Sequence, residues 1–328
     1  MPSDQKKSPP ILLVVLAFFT VYTVWGSTYF FIARALHGFP PFFLGTFRFI
    51  AAGLLLLAWC KFKGLPVFDK KNIFNAGISG VLMLGVGNGI VIWVEQFMTS
   101  GLVAIMVSSA AIWFVILDRK LWKQNFSNKF TVAGLIIGFL GVILLFWEQL
   151  SGFEIGQDKR TVLGMILLII GPIGWAGGSL YSKYHPGNNN NASVSTAWQM
   201  IIAGLFFIPP FLLSGEAQQF SLQDVPASAW WSAGYLVIFG SILAFSAYVW
   251  LLQVRPATQV STYAYVNPVV AVLLAVFFGN EIISGIQITG LVVILGSVLL
   301  INMSKYKKPV QTELHTEGIK NAEKAESA

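Results

Sequence analysis

Apolar runs of about twenty residues, separated by short polar clusters, dominate the pattern of this chain. An α-helix rises about 1.5 Å per residue, so about 20 apolar residues cross the roughly 30 Å hydrocarbon layer of a membrane. The fourth run is short, and we expect a tilted or broken helix there. The short connections leave no room for a soluble domain. The pattern predicts ten transmembrane helices, over residues 11–33, 42–59, 74–96, 102–117, 130–147, 162–184, 194–213, 229–252, 258–278 and 286–303.

The second half of the sequence resembles the first. The segment WGSTY at 25–29 is similar to WAGGSLY at 175–181, and further matches follow in the same order. Each half contains five predicted helices, and an odd number turns the second half upside down in the membrane relative to the first. We therefore predict an all-α integral membrane protein, with two inverted five-helix repeats at 11–147 and 162–303 around a central cavity.

Composition and charge agree with a membrane protein and give its orientation. Hydrophobic residues make up 55% of the chain and charged residues only 11%, unlike an ordinary soluble domain. Most of the 21 lysines and arginines fall on one side of the ten predicted helices, and the cytoplasmic side retains such residues. The prediction is a multi-pass protein of the cytoplasmic (inner) membrane. Residues 1–10 and a disordered tail at 304–328 are cytoplasmic, and 148–161 is an extracytoplasmic linker.

Several other classes of function are disfavoured. The basic residues lie near membrane ends and form no stripe with interleaved aromatic residues, so we predict the lipid bilayer as a partner and no nucleic acid. Cys60 is the single cysteine and the three histidines are scattered, so we expect no metal site and no cofactor. The chain has no Walker-type ATP-binding motif and almost no ionisable residues inside the predicted helices, so we do not expect an enzyme.

Five sequence features are typical of one family: WGST at 25–28, Pro40-Pro41 followed by Arg48-Phe49, YVNP at 265–268, GNE at 279–281, and glycine-rich fifth and tenth helices. Across nearly its whole length the chain resembles the EamA family of the drug/metabolite transporter superfamily. The resemblance implies a ten-helix carrier of two repeats with a central cavity, usually exporting small metabolites. One departure is Ala110-Ala111, since the family often has a proline in the fourth helix.

Polar and aromatic residues at helical spacing inside apolar helices mark the candidate cavity. A polar group facing lipid is costly, so such residues face the interior of the bundle or a water-filled path. The alternative is ordinary packing, with hydroxyl groups bonded across helices and a packed kink at the proline. We interpret ten of these residues as substrate-binding: Tyr22, Trp25, Thr28, Tyr29, Asn88, Trp175, Ser179, Ser261, Tyr265 and Pro268.

Two ionisable residues lie within predicted helices. Glu95, near the outer end of the third helix, is the candidate coupling group, because a desolvated carboxylate can exchange a proton as a carrier changes face. The alternative is a hydrated acid at the membrane interface. Arg48, about eight residues into the second helix, is interpreted as a structural charge with Glu95 as a candidate partner. The alternative for Arg48 is attraction of an anionic group of the substrate.

The sequence thus predicts a secondary transporter that moves a small metabolite by alternating access, with protons as the candidate coupling ion. An aromatic lining with a few hydroxyl groups suits an amphipathic substrate, so export of amino acids or related metabolites is the leading hypothesis. Import of a small metabolite, or channel-like conduction, is the alternative.

Overall fold

The computed structural model describes residues 9–147, 150, 159–187, 191–279 and 283–303, and within these ranges the chain is helical and contains no strand. Most of the predicted segments 1–10 and 148–161, the tail at 304–328 and two residues of the GNE motif lie outside the described residues. The helices are α1 Ile11–Ala35, α2 Pro41–Phe62, α3 Lys70–Val94, α4 Ser100–Ser108, α5 Ala110–Leu117, α6 Trp122–Ser127, α7 Lys129–Leu145, α8 Lys159–Tyr184, α9 Ala192–Leu213, α10 Glu216–Gln219, α11 Ala227–Val254, α12 Ala257–Val260, α13 Tyr263–Gly279 and α14 Gly285–Met303.

Seven helices in the described part of the chain are long and apolar enough to cross a membrane: α1, α2, α3, α8, α9, α11 and α14. An eighth span results if Leu102–Leu117 and Arg119–Ser127, which meet at a bend of 63°, are counted together. The short fourth predicted helix is broken at Ser109, between α4 and α5. The all-helical membrane prediction is confirmed with seven to eight spans, while the count of ten stays a prediction.

Helices from before residue 148 pack against helices from after residue 158. The most extensive contacts join α7 with α14, α2 with α9, α3 with both α8 and α9, and α1 with both α11 and α13. Buried hydrophobic residues from these pairs form a large core, and a second, smaller cluster contains residues of α1, α2, α3 and α11. Both clusters contain residues from the two halves of the sequence.

Glycines allow α7 and α14 to approach closely. A Cβ atom on Gly290 would lie 2.6 Å from the backbone nitrogen of Leu145 and 3.0 Å from the carbonyl oxygen of Gly141. A Cβ on Gly134 would meet the side chain of Ile301 at 2.7 Å. Helices in lipid associate through such close packing, because lipid tails are as apolar as the helix surfaces. The contact between α7 and α14 thus depends on the absence of side chains.

Two helices contain a π-helical stretch, Val81–Asn88 in α3 and Leu236–Phe245 in α11. A π-helical turn holds one more residue than an α-helical turn, and it occurs frequently at functional sites. Here the extra residue changes which side chains face the interior. Both stretches contribute to the cavity described below.

Hydrogen bonds from Lys183 join the ends of two membrane-spanning helices, α8 and α11. The Lys183 ammonium, near the end of α8, donates hydrogen bonds to the carbonyl oxygens of Leu252 and Arg255, at the end of α11. The last carbonyls of a helix carry a partial negative charge, which favours a cation. Next to it, the Tyr184 hydroxyl donates to Asp118 at 2.7 Å and ties α8 to the residue that follows α5.

Candidate functional site

A cavity lies at the centre of the bundle, between the two halves of the chain. Its wall is built by α1, α2, α3, α4 and α5 from the first half and by α8, α11 and α13 from the second. The volume open to the centres of water molecules is about 70 Å³. One water needs about 10–15 Å³ by this measure, so the cavity is several times larger than the space that a single water requires.

Four aromatic rings form one wall of the cavity and its support. The Trp25 ring lies 5.4 Å from Trp175, 4.9 Å from Tyr248 and 5.1 Å from Tyr263, measured between ring centroids. The Trp25 and Trp175 planes meet edge to face at 82°. Aromatic pairs at these separations and angles are favourable beyond the area that they bury. We refer to Trp25, Trp175, Tyr248 and Tyr263 as the aromatic wall.

Hydrogen bonds fix the orientation of the aromatic wall. The Trp25 indole donates to the carbonyl oxygen of Gly240 at 3.1 Å, and the Trp175 indole donates to the Tyr248 hydroxyl at 3.0 Å. Ser179 bonds the same Tyr248 hydroxyl at 2.6 Å. Since Tyr248 is fully buried, these bonds satisfy polar groups that water does not reach. The wall is therefore a preorganised surface.

Five of the ten predicted substrate-binding residues line the cavity. Trp25, Thr28 and Tyr29 come from α1, Asn88 from the π-helical stretch of α3, and Trp175 from α8. The Thr28 hydroxyl donates to the carbonyl oxygen of Trp25 at 2.6 Å, which leaves its methyl group and its oxygen lone pairs for the cavity. The Asn88 side-chain oxygen is buried and has no hydrogen-bond partner among the residues that the structure describes.

The other five lie outside the lining. The Tyr22 hydroxyl bonds Thr262 at 2.6 Å beside a second cavity, and Ser179 sits behind the aromatic wall. Ser261 donates to the carbonyl oxygen of Thr258, while the Tyr265 hydroxyl donates to the carbonyl oxygen of Leu135 in α7 at 2.8 Å. Pro268 is a buried position inside α13. The Tyr265 side chain therefore packs against α7, while Ser261 precedes α13 and bonds within its own turn.

A different face of α13 reaches the cavity. Tyr263 and Asn267 are four residues apart, so they share a face, and both line the cavity. Asn267 is 4% exposed, and its side-chain oxygen lacks a hydrogen-bond partner within the described ranges. Sequence reasoning missed both residues, although Asn267 stands in the YVNP motif and offered a signal. Tyr248, in α11, was missed as well.

Arg48 lies in the wall of the cavity and is 3% exposed. Its Nε donates to the Ser241 hydroxyl at 2.9 Å, and its guanidinium carbon lies 4.9 Å from the centre of the Phe49 ring. The Nη1 atom is buried and has no hydrogen-bond partner in the part of the chain that the structure describes. Arg48 thus links α2 to α11, as a structural charge would, and also keeps one buried donor group without a partner in the described residues.

Glu95 follows the last residue of α3, and both of its carboxylate oxygens are buried. It interacts electrostatically with Arg48 and with Tyr29, which both line the cavity. Glu95 itself is not a lining residue. The structure thus places the charges of Arg48 and Glu95 near each other, while the hydrogen-bond partner of Arg48 is Ser241.

One carboxylate outside the spans has a perturbed pKa. Glu216, at the start of α10, is partly buried and accepts a hydrogen bond from the backbone nitrogen of Phe42 at 3.3 Å. Burial raises the pKa of the Glu216 carboxyl from 4.5 to about 7, and the backbone hydrogen bonds lower it less than burial raises it. Glu216 therefore titrates near neutral pH at the N-terminus of α2.

Comparison with known proteins supports transport. The model of the EamA-like transporter family matches residues 11–147 and again residues 162–303. The chain belongs to the EamA-like transporter family. It is 36% identical over 301 residues to an Escherichia coli K12 protein named "Uncharacterized inner membrane transporter YedA", and the match covers 90% of this chain and 92% of that one. The family and these relatives indicate a membrane transporter with small molecules as substrates, rather than an enzyme.

Two further similarities are more distant. A protein of Escherichia coli K12 named "Probable amino-acid metabolite efflux pump" is 24% identical over 289 residues, covering 84% of this chain and 90% of that one. A protein of known crystal structure has the same fold, with a TM-score of 0.74 at 18% identity, over 88% of this chain and 96% of that one.

In the described ranges no group of three or more His, Cys, Asp or Glu residues is arranged to hold a metal ion.

Proposed function

We propose that this chain is a secondary active transporter that exports amino acids or related amphipathic metabolites across the inner membrane by alternating access. The observation that carries the proposal is the central cavity, whose aromatic wall and unpartnered polar atoms come from both halves of the chain. A carrier needs one site between two units that move relative to each other. The name of the distant efflux relative favours amino acids and export.

The proposed architecture is ten spans in two inverted repeats, at 11–147 and 162–303. The family model matches both ranges, and the π-helical stretches of α3 and α11 occur at corresponding positions, separated by about the same offset as the sequence repeat. The pairing of α7 with α14 and of α2 with α9 is what a two-fold axis between the repeats produces. The distribution of basic residues favours cytoplasmic termini.

We propose protons as the coupling ion and Glu95 as the coupling group. A buried carboxylate near a cavity, next to an arginine, can take up and release a proton as its surroundings change between the two faces of the membrane. Glu95→Gln removes the charge and keeps the shape. We expect this variant to lose accumulation driven by a pH gradient while retaining exchange of substrate across the membrane. Unchanged pH-driven accumulation would exclude Glu95 from coupling.

The first test is counterflow in proteoliposomes, with a panel of labelled amino acids. Exchange that is faster than in empty vesicles supports a carrier, and ion conductance without exchange would indicate a channel. Trp25→Ala and Trp175→Ala remove parts of the aromatic wall, and we expect each to lower exchange by about tenfold, from lost contact area and aromatic pairing. Trp231→Ala is the matched control, because Trp231 is 81% exposed. Full activity of both wall variants would contradict the proposed site.

Direction requires intact cells. Cells that express the protein are compared with cells that express the Trp175→Ala variant at equal abundance, by profiling metabolites in the cytosol and the medium. Depletion inside and enrichment outside, only with the intact protein, supports export. The reverse pattern would mean import, the alternative that the cavity itself does not distinguish.

A further inference from the structure

Arg48 is held so that one side of its guanidinium remains available. The Ser241 hydroxyl fixes Nε at 2.9 Å and the Phe49 ring lies against the guanidinium, so the group cannot turn freely. Nη1 is buried, and no hydrogen-bond acceptor reaches it from any residue that the structure describes. A buried donor of a charged group is costly without a partner. The planar guanidinium is shaped to donate two parallel hydrogen bonds to a carboxylate.

Two asparagines with an unpartnered oxygen line the same cavity from opposite halves of the chain. Asn88 comes from α3 and Asn267 from α13, and the side-chain oxygen of each is buried without a hydrogen-bond partner within the described parts of the chain. An ammonium group carries three donors and no acceptor, so it needs such oxygens. The cavity therefore offers one donor group and two acceptors whose hydrogen-bonding capacity is unused.

The charges near the cavity favour a substrate with no net charge. Arg48 is positive, and Glu95 interacts with it electrostatically at the edge of the site. A substrate with only a carboxylate, or only an ammonium, would bring an additional net charge into a region of low dielectric, which is costly. A zwitterion brings both charges and no excess of either.

We propose that Arg48 binds the carboxylate of a zwitterionic substrate and that Asn88 and Asn267 accept hydrogen bonds from its ammonium group. The inference rests on the proposed function and narrows it, since it admits free amino acids and excludes their esters and decarboxylated amines. The aromatic wall then contacts the apolar side chain of the substrate. Ser241 is a positioning residue that acts through Arg48.

The test uses the full chain in proteoliposomes and three matched sets of probes. Each set contains an amino acid, its methyl ester, its decarboxylated amine and its des-amino carboxylic acid, for L-phenylalanine, L-leucine and L-threonine. The wild-type protein should exchange at least one amino acid, with the corresponding ester and amine at least about tenfold weaker, because each lacks the partner of a charged hydrogen bond. Arg34→Gln is the control, since Arg34 is an exposed arginine near the end of α1.

The variants separate a binding role from a structural one. Arg48→Gln should lower exchange of the amino acid by about 10- to 100-fold and leave exchange of the ester unchanged, so that the difference between the two rates disappears. Arg48→Lys keeps the positive charge but not the planar guanidinium, so its exchange of the amino acid should lie between that of the wild type and that of Arg48→Gln. Ser241→Ala is a small change that frees Nε, and it should weaken the amino acid several-fold without affecting the ester. Asn88→Leu and Asn267→Leu should lower exchange of the amino acid but not exchange of its des-amino carboxylic acid.

Equal exchange of amino acid and ester by the wild-type protein would overturn the inference, as would an Arg48→Gln protein that still distinguishes them. Exchange of other compounds only would overturn the inference and leave transport standing. A wild-type protein that exchanges no compound at all would overturn the proposed function, and the inference with it.

Discussion

Replacing Tyr248 by phenylalanine removes one hydroxyl group from the fully buried side of the aromatic wall. The Trp175 indole then loses its acceptor, which lies at 3.0 Å, while the Ser179 hydroxyl still donates to the carbonyl oxygen of Trp175 at 2.7 Å. The main cost is therefore one orphaned indole N–H, about 1–3 kcal/mol of unfolding free energy. Ser179→Ala leaves Tyr248 bonded to Trp175, so we expect it to cost only about 0.5–1.5 kcal/mol.

The indole and the hydroxyl should depend on each other. In a variant with both Trp175→Phe and Tyr248→Phe, the Trp175 indole N–H that the single variant leaves without an acceptor is absent. We expect its loss of stability to be smaller than the sum of the two single losses, by about 0.5–3 kcal/mol. Tyr248→Phe alone should also make the cavity wall less rigid and so lower substrate exchange.

The chain carries its own reporter for this measurement. Cys60 is the single cysteine and is fully buried, so a thiol-reactive dye reacts with it only when the protein opens. Apparent unfolding temperatures in detergent are compared at one heating rate, because unfolding of such proteins is irreversible. An unchanged midpoint for Tyr248→Phe, or single losses that simply add up in the double variant, would refute the proposed network.

Three other predictions are also read from unfolding temperatures, with the dye except for the pH profile of Glu216, which is followed by tryptophan fluorescence because a protonated thiol reacts too slowly with the dye. Gly290→Ala should lower the unfolding temperature clearly, because its Cβ would lie 2.6 Å from the Leu145 nitrogen. Gly296→Ala should be neutral, since nothing in the described part of the chain lies within 4 Å of a Cβ there, and equal effects would contradict close packing of α7 on α14. Burial raises the pKa of the Glu216 carboxyl from 4.5 to about 7, so this group binds a proton more tightly in the folded state. Its contribution to stability is full below pH 4.5 and is lost as the pH rises through 7. Glu216→Gln should lose this part of the pH dependence, and an unaltered profile would exclude Glu216 as its source. Asn191→Ala removes the side chain that accepts from two backbone N–H groups at the start of α9 and should cost about 0.5–2 kcal/mol, which an unshifted midpoint would rule out.

The parts of the structure that follow from single helices could be predicted from the sequence. Trp25 and Trp175 are aromatic residues in the middle of apolar helices, and each helix alone directs them to the interior. Which neighbour they would meet was not predictable, because their support comes from Tyr248, more than seventy residues further along the chain.

The face of α13 shows why spacing alone was insufficient. Ser261 and Tyr265 satisfy the same helical spacing as Tyr263 and Asn267, and a single helix cannot tell which face meets α7 and which meets the cavity. Gly138 in α7 leaves room for the Tyr265 ring, since a Cβ there would lie 2.7 Å from it. Such a fit between two helices is visible only after both are packed.

Arg48 illustrates a second limit. Its depth in α2 indicated that it needs a partner, and the sequence offered Glu95 as the candidate. The hydrogen-bond partner is Ser241, in the π-helical stretch of α11, and no residue pattern announces a π-helical turn. Because that turn shifts the register of α11, the residue opposite Arg48 could not be read from a regular helical repeat.

The Lys183 ammonium links movement of α8 to movement of α11. Its two acceptors are carbonyl oxygens at the end of α11, so both bonds persist only while the two helix ends stay within reach of the lysine side chain. Sliding α8 alone beyond that reach would leave a cation without acceptors at the edge of a low-dielectric bundle, which is costly. We therefore expect the ends of α8 and α11, two helices that line the cavity, to move together.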